Sequence, residues 1–314
     1  MNQKDLSYRP VFRKAFLLPP YWPTWCLLAL MRLCVTLPRP LVGFIGARIG
    51  DVFYYLSPKR RHIAEINLKL AFPRWQEARR RRVLRDHFRV YVQCLVDYGL
   101  LWWGSKTFLK KYIRIKGMEH ITREQEAGHN LILLHGHFSA LDLGGSLVSE
   151  QTPFITMAKP AKNKLIDWYM AQGRSRFHVR VFIRKRGIRP VVREMLKKKI
   201  FYYLPDEDFG QKQQSVFAPF LGNETATLTA VSRLARMAKA RVLPCYTRRL
   251  PGNAGYEVVV LPPIAPFPSD DAVADATLIN QAVEVGIAHV PEQYIWTLRM
   301  FKSRSSGEQS PYNY

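Results

Sequence analysis

The chain has 314 residues, 47% of them hydrophobic, which suits one large domain with appendages and a sizeable core. Its 48 Lys and Arg against 24 Asp and Glu leave a net charge of +24, a field that draws phosphates, acidic proteins, anionic lipid or nucleic acid without choosing among them. Cys26, Cys34, Cys94 and Cys245 form no CxxC pair and have no histidine at zinc-ligand spacing, which argues against a structural metal site or a disulfide framework.

Residues 21–37, YWPTWCLLALMRLCVTL, are largely apolar. At helical rise they extend about 25 Å, slightly short of a bilayer core of about 30 Å. Tyr21, Trp22 and Trp25 crowd one end as an aromatic belt would, and Arg32 interrupts the run. A second apolar stretch, LVGFIG at 41–46, follows Pro38, Arg39 and Pro40. No small-residue cleavage site follows a short apolar core, so a secretory signal fits poorly. The segment reads as a membrane anchor that either crosses once or lies in the interface. Lys4, Arg9, Arg13 and Lys14 precede it and Arg39, Arg48, Lys59, Arg60 and Arg61 follow, so charge assigns no orientation. The expected organisation is an anchor region over 1–58, an α/β domain over 59–304 with a basic helical first part, and a polar tail over 305–314.

The spacing predicts a long helix over 75–103, with Leu84, Phe88, Tyr91, Leu95 and Tyr98 on one apolar stripe. Arg79 to Arg82, Arg85 and Arg89 make a cationic patch, either a solvated face or a contact for an anionic membrane or acidic partner. Beyond residue 112, short apolar runs alternate with helical stretches. Strands are expected at 131–135, 153–157, 180–183, 200–204, 241–247 and 256–261, and helices at 139–149, 162–175, 190–199 and 225–239. Lys197, Lys198 and Lys199 are expected to close the third of these helices at its negative end. A final helical pair is expected over 272–302, split at Pro291, followed by a loosely ordered tail. Alternation of this kind implies an α/β fold with a mainly parallel central sheet flanked by helices.

The stretch LILLHGHFSALDLGG at 131–145 concentrates the chemistry. Ser139 and Asp142 fit a capping box, and that alone would account for the acid. The alternative is catalytic. A histidine after a buried strand and before a helix sits at the carboxyl edge of a sheet, where open α/β folds bind ligands. A carboxylate on one ring nitrogen fixes the tautomer, and the other nitrogen accepts a proton. On this reading His137 is the base and Asp142 its partner, while His135 is structural.

HFSALD at 137–142 resembles the H-x4-D/E motif of the glycerolipid acyltransferase superfamily. Further blocks resemble the late acyltransferases of bacterial lipid A synthesis, the Kdo-lipid A lauroyl and myristoyl transferases. They are PPYWPTW at 19–25, RRHIAEINLKLAFP at 60–73, IKGMEHI at 115–121, NKLIDWYMAQGR at 163–174, YYLPDEDFG at 202–210, SVFAPFLG at 215–222 and PEQYIWTLRMFKSR at 291–304. Seven collinear blocks span nearly the whole chain. Most are closer to the lauroyl type, while GEQSPY near the end is similar to the myristoyl type.

The resemblance implies a glycerol-3-phosphate-acyltransferase-like fold and transfer of a lauroyl or myristoyl chain from acyl carrier protein. The acceptor implied is the 3-hydroxyl of a hydroxyacyl chain on a phosphorylated, Kdo-bearing glycolipid. It implies His137 as base and Asp142 as its orienting acid, with Arg174, Arg184 and Asp206 binding substrate. Asp142 stands where many members carry Glu. It also implies no metal, no nucleotide and no other cofactor, an anionic membrane as partner, and a place at the bacterial inner membrane facing the cytoplasm. A lysophospholipid acyltransferase using the same chemistry and a membrane-tethered nucleic-acid-binding protein are the competing readings. The aromatic residues cluster in apolar runs rather than among the cations, which disfavours nucleic acid.

Overall fold

Runs of branched and aromatic residues between Gly, Pro and Asn turns form the strands of the computed structural model, which describes residues 7–210, 214–305 and 307–312. The strands are β1 (Ile113–Lys116), β2 (Asn130–His135), β3 (Phe154–Ala158), β4 (Arg180–Ile183), β5 (Ile200–Tyr203), β6 (Ser215–Phe220), β7 (Asn223–Leu228), β8 (Ala240–Arg249) and β9 (Tyr256–Val260). Seven of them form one sheet in the order β1-β9-β8-β2-β5-β3-β4. Its neighbours are parallel except for the antiparallel pair β8 and β9. The mainly parallel α/β sheet expected from the sequence is the one observed, and all six strand segments fall within a few residues of their expected places.

The helices are α1 (Trp22–Thr36), α2 (Arg39–Leu56), α3 (Pro58–Ala71), α4 (Glu77–Trp103), α5 (Lys106–Tyr112), α6 (Met118–Glu126), α7 (Leu141–Gln151), α8 (Lys164–Arg176), α9 (Arg189–Met195), α10 (Ala230–Ala238) and α11 (Ala272–His289). Every residue of the central strand β2 is buried, as a strand covered on both faces must be. Alternate side chains point to opposite faces. Leu131 and Leu133 join a core with Leu143 and Leu147 of α7. Ile132 and Leu134 join another with Val191 of α9, Leu234 of α10 and Ile279 of α11. The strand that carries the HGH sequence is therefore wedged between two helical layers, which fixes its backbone.

Several expectations are corrected. Residues 223–228 do not start a helix. Thr225, Ala226 and Thr227 pair with β6 in a hairpin that turns at Leu221 and Gly222, both at positive φ, and the helix begins only at Ala230. The helix at 190–199 ends at Met195, and Lys198 adopts a φ of 66°, so the three lysines lie in a turn beyond it. Among the described residues no second C-terminal helix follows α11; Pro291–Gln293 is a single 3-10 turn. The stripe on α4 is buried at Leu84 and Phe88 but leaves Leu95 exposed, because Val92, Leu100 and Leu101 carry the buried face onward. In the cationic patch, Arg85 and Arg89 both bond Asp51 of α2. The tail is tied down at Tyr312, which is buried with its hydroxyl on Asn67 and accepts from the Phe301 amide at 3.0 Å. Ser306, Asn313, Tyr314 and, at the other end, Lys4 lie outside the described residues.

Among the described residues no helix is long and apolar enough to cross a membrane. The apolar run at 21–37 yields the 15-residue α1, and Pro38 separates it from α2. Arg32 leaves the apolar face by placing its guanidinium over the Trp103 ring, 5.8 Å from its centroid. Leu27, Leu30 and Leu33 of α1 and Phe44, Val52, Tyr55 and Leu56 of α2 remain exposed.

Candidate active site

The chain leaves the sheet at the carboxyl end of β2, and the loop through Gly136 and His137 is held from the C-terminal side. Ile295 N donates to the His137 carbonyl at 2.8 Å. Ser139 donates to the Gln293 carbonyl from its amide at 2.8 Å and its hydroxyl at 3.0 Å. Phe138 forms an isolated antiparallel bridge with Tyr294. The block PEQYIW thus works as a clamp on the histidine loop. These bonds also remove the capping box: Ala140 is the N-cap of α7 without a side-chain bond, and the Ser139 hydroxyl is used elsewhere.

β5 lies beside β2 in the sheet, so the residues just beyond its carboxyl end reach the same place. Asp206 grips His137 with both oxygens. Oδ1 meets the ring Nδ1 at 2.7 Å, and Oδ2 accepts from the His137 amide at 2.6 Å. The Tyr294 hydroxyl donates to Oδ2 at 2.6 Å. The Asp206 side chain is 2% exposed, that of His137 19%. Burial alone would raise the Asp206 pKa, but the imidazole and three donated bonds hold it below the ordinary carboxylate value. Burial alone would lower that of His137, and the facing Asp206 and Glu207 carboxylates raise it instead. Nε2 of His137 is left on the open side, with Glu207 Oε1 at 3.8 Å.

Asp142 is elsewhere. Its oxygens accept from Arg174 Nε at 2.9 Å and from the terminal guanidinium nitrogen at 2.8 Å, and Tyr98 donates at 3.0 Å. Burial works against both charges, yet the pair prevails: Asp142 is held below the ordinary carboxylate pKa and Arg174 is raised. The expected contact from Asp142 to His137 is corrected: the carboxylate on His137 is that of Asp206. Asp206, expected to bind substrate, has both its oxygens bonded to His137 and Tyr294. Arg174, expected to bind substrate, closes its guanidinium fork on Asp142. Arg184 donates to Glu207 at 3.3 Å and lies over the Phe209 ring.

His137, Asp142, Arg174, Arg184 and Glu207 all border one cavity of about 830 Å³, within the usual range for ligand pockets of about 300–1,000 Å³. Its apolar lining includes Phe154, Met157, Val179, Tyr202 and Leu234. His135 is fully buried, bonds Thr247 at 3.1 Å and is pushed down to about 4 by burial, a structural histidine. Among the described residues no group of His, Cys, Asp and Glu side chains is placed to hold a metal ion.

Three participants were not singled out as site residues, although Glu207 and Tyr294 lie in the blocks quoted above and Tyr98 on the apolar stripe. Tyr294, Tyr98 and Glu207 stand at no diagnostic spacing from His137, and the fold alone brings them there. Gly136 did have a signal, as a glycine between two histidines. A Cβ there would lie 2.7 Å from Val283 Cγ1 and 3.3 Å from Asp206 Oδ2. Gly136→Ala is therefore expected to displace the His137 loop and to cost about 1–3 kcal/mol of stability by overpacking. A thermal melt and a turnover assay check it; unchanged turnover would mean that the loop tolerates the shift.

Comparison with known proteins finds relatives over nearly the whole chain. The family described as "Bacterial lipid A biosynthesis acyltransferase" matches residues 9–303. The lipid A biosynthesis lauroyltransferase of Escherichia coli K12 is 34% identical, over 96% of this chain and 99% of that protein. The palmitoleoyltransferase of the same organism is 32% identical over 96% and 98%, and its myristoyltransferase 30% identical over 99% and 96%.

Proposed function

Because the chain belongs to the bacterial lipid A biosynthesis acyltransferase family and is an acyltransferase, we propose that it moves a lauroyl or myristoyl chain from acyl carrier protein to a hydroxyacyl chain of a Kdo-lipid A precursor. The observation that carries this reading is the His137 and Asp206 pair, with His137 bordering a partly apolar cavity. Asp206 occupies Nδ1, so Nε2 is the nitrogen available to the substrate. His137 takes the proton of the acceptor's 3-hydroxyl as that oxygen attacks the thioester carbonyl. The tetrahedral intermediate then collapses, the C–S bond breaks, and the imidazolium returns the proton to the departing thiolate. Asp206 stabilises the imidazolium between the two steps. The acyl chain lies along Phe154, Met157, Val179 and Leu234.

The test is mass spectrometry of lipid A after expression in a strain lacking its own late acyltransferases. A gain of one acyl group supports the reading, and its mass gives the chain length. Acylation of a lysophospholipid in place of the lipid A precursor would overturn the acceptor.

The acceptor is a lipid, so the site has to work at a membrane. The exposed residues of α1 and α2, flanked by Arg9, Arg13, Lys14 and Arg48, suit a helix pair lying in the interface of the inner membrane with the site toward the cytoplasm. The double variant Leu30→Glu and Phe44→Glu is expected to lose most co-flotation with vesicles containing anionic lipid. High salt should weaken flotation of the unaltered protein, since the cationic part of the attraction is screened beyond about 8–10 Å. Flotation indifferent to both changes would place the membrane contact on another face.

A further inference from the structure

Four cations border the acyl cavity, and two of them are spoken for. Arg174 is closed on Asp142 and Arg184 on Glu207. Lys159 and Arg233 also border it, and neither has an ion pair or side-chain hydrogen bond among the described residues. Both are solvent-exposed, and both border the cavity. Lys159 is the first residue beyond the carboxyl end of β3, on the same sheet rim that carries His137. Arg233 lies in the first turn of the nine-residue α10, whose first residue, Ala230, also borders the cavity, as does Leu228 at the end of β7. The helix dipole adds positive potential at the amino end of α10. Carboxylates and cations therefore cancel on the His137 side of the rim, and uncompensated positive charge is left at Lys159 and Arg233.

We propose that Lys159 and Arg233 form a phosphate subsite on the rim of the acyl cavity. A guanidinium fork and an ammonium on one cavity suit a phosphate mono- or diester, because the arginine donates two directed bonds and the lysine adds a point charge. The proposal rests on the reading of the cavity as an acyl site and names a charge-bearing group that enters with the chain. That phosphate has two sources in the proposed reaction: the sugar phosphate of the glycolipid acceptor, or the phosphodiester of the carrier protein's thiol-bearing arm.

Steady-state kinetics of the double variant Lys159→Ala and Arg233→Ala separate them, with each substrate varied in turn. Loss of charge-assisted bonds is expected to raise KM for one substrate about tenfold, and the substrate affected identifies the source. The pH midpoint set by His137 should not move. The pair Lys159→Arg and Arg233→Lys should restore much of the loss. Unchanged KM for both substrates overturns the subsite while leaving the acyl-transfer reading in place. Calorimetry with octyl phosphate and octanol tests the site without turnover. The unaltered protein should bind octyl phosphate about tenfold more tightly than octanol, and the double variant should bind both alike. Equal binding of the two by the unaltered protein removes the subsite alone. Binding of neither removes the acyl cavity as well.

Discussion

Asp206→Asn is expected to lower acyl transfer by about 10⁴-fold, the scale seen when the carboxylate of a Ser-His-Asp triad becomes an amide. The His137 ring sits with Nδ1 at 2.7 Å from Asp206 Oδ1, and an amide there can offer a hydrogen in place of an acceptor. The ring then loses the tautomer that leaves Nε2 free. His137→Ala removes the base itself and should abolish the mass gain while leaving vesicle flotation intact. The pH dependence gives a second readout. A general base works only when neutral, and Asp206 raises the His137 pKa above its ordinary value of 6.5. Turnover should therefore fall as pH drops through a midpoint above 6.5. In Asp206→Asn the residual activity should show that midpoint moved to lower pH, because the charge that favours the imidazolium is gone. Tyr294→Phe removes one donor to Asp206 and should move the midpoint the opposite way, since the carboxylate then places more of its charge on the ring. A pH profile identical in all three proteins would release Asp206 from this role.

The sheet was legible because its strands are short apolar runs punctuated by Gly, Pro and charged turns, and a buried parallel strand such as β2 has no other way to read. His137 was legible for the same reason, as the residue where such a run meets a helix. Its partner was not. Asp142 lies five residues on and invites pairing, whereas Asp206 is 69 residues away and arrives only because β5 lies next to β2. Local spacing reports neighbours along the chain; the strand order of a parallel sheet decides neighbours in space. The hairpin of β6 and β7 was misread because Thr-Ala-Thr runs into Leu228 and the helical Ala230 segment without punctuation, so the helix period appeared to start early. Of the two forms expected of the anchor, the crossing one meets no helix long and apolar enough among the described residues, for a different reason. Its hydropathy does not register Pro38, which divides the apolar residues between α1 and α2, nor the Trp103 ring that receives Arg32. The excess positive charge is likewise no fingerprint of nucleic acid; part of it is consumed internally, as by Asp51 between Arg85 and Arg89.

Asp142→Asn should fail in a different manner from Asp206→Asn, and the contrast tests the reassignment of the two acids. Asp142 and Arg174 meet in bidentate geometry, with side chains only 13% and 17% exposed, and Tyr98 completes the acid's bonding. Removing one member of such a pair leaves the other charge buried without its counterion, at a cost of about 3–5 kcal/mol. That is a large share of the roughly 5–15 kcal/mol that holds an ordinary domain folded. The expected result is a marked loss in thermal stability, with the pH midpoint of the remaining folded enzyme unmoved. Arg174→Met in the Asp142→Asn background should recover much of the stability, because it removes the orphaned guanidinium, whereas Arg174→Met alone should resemble Asp142→Asn. The pair's own linkage has a definite sign. Asp142 is held below its ordinary value, so its stabilising contribution is present at neutral pH and is lost only as pH falls below the usual carboxylate range. If Asp142→Asn instead left stability intact and moved the pH midpoint as Asp206→Asn is expected to do, the acid within the H-x4-D motif would be the partner of the base after all. The geometry argues against that outcome: Asp142 has its bonds to Arg174 and Tyr98, and the ring of His137 has its own carboxylate at 2.7 Å.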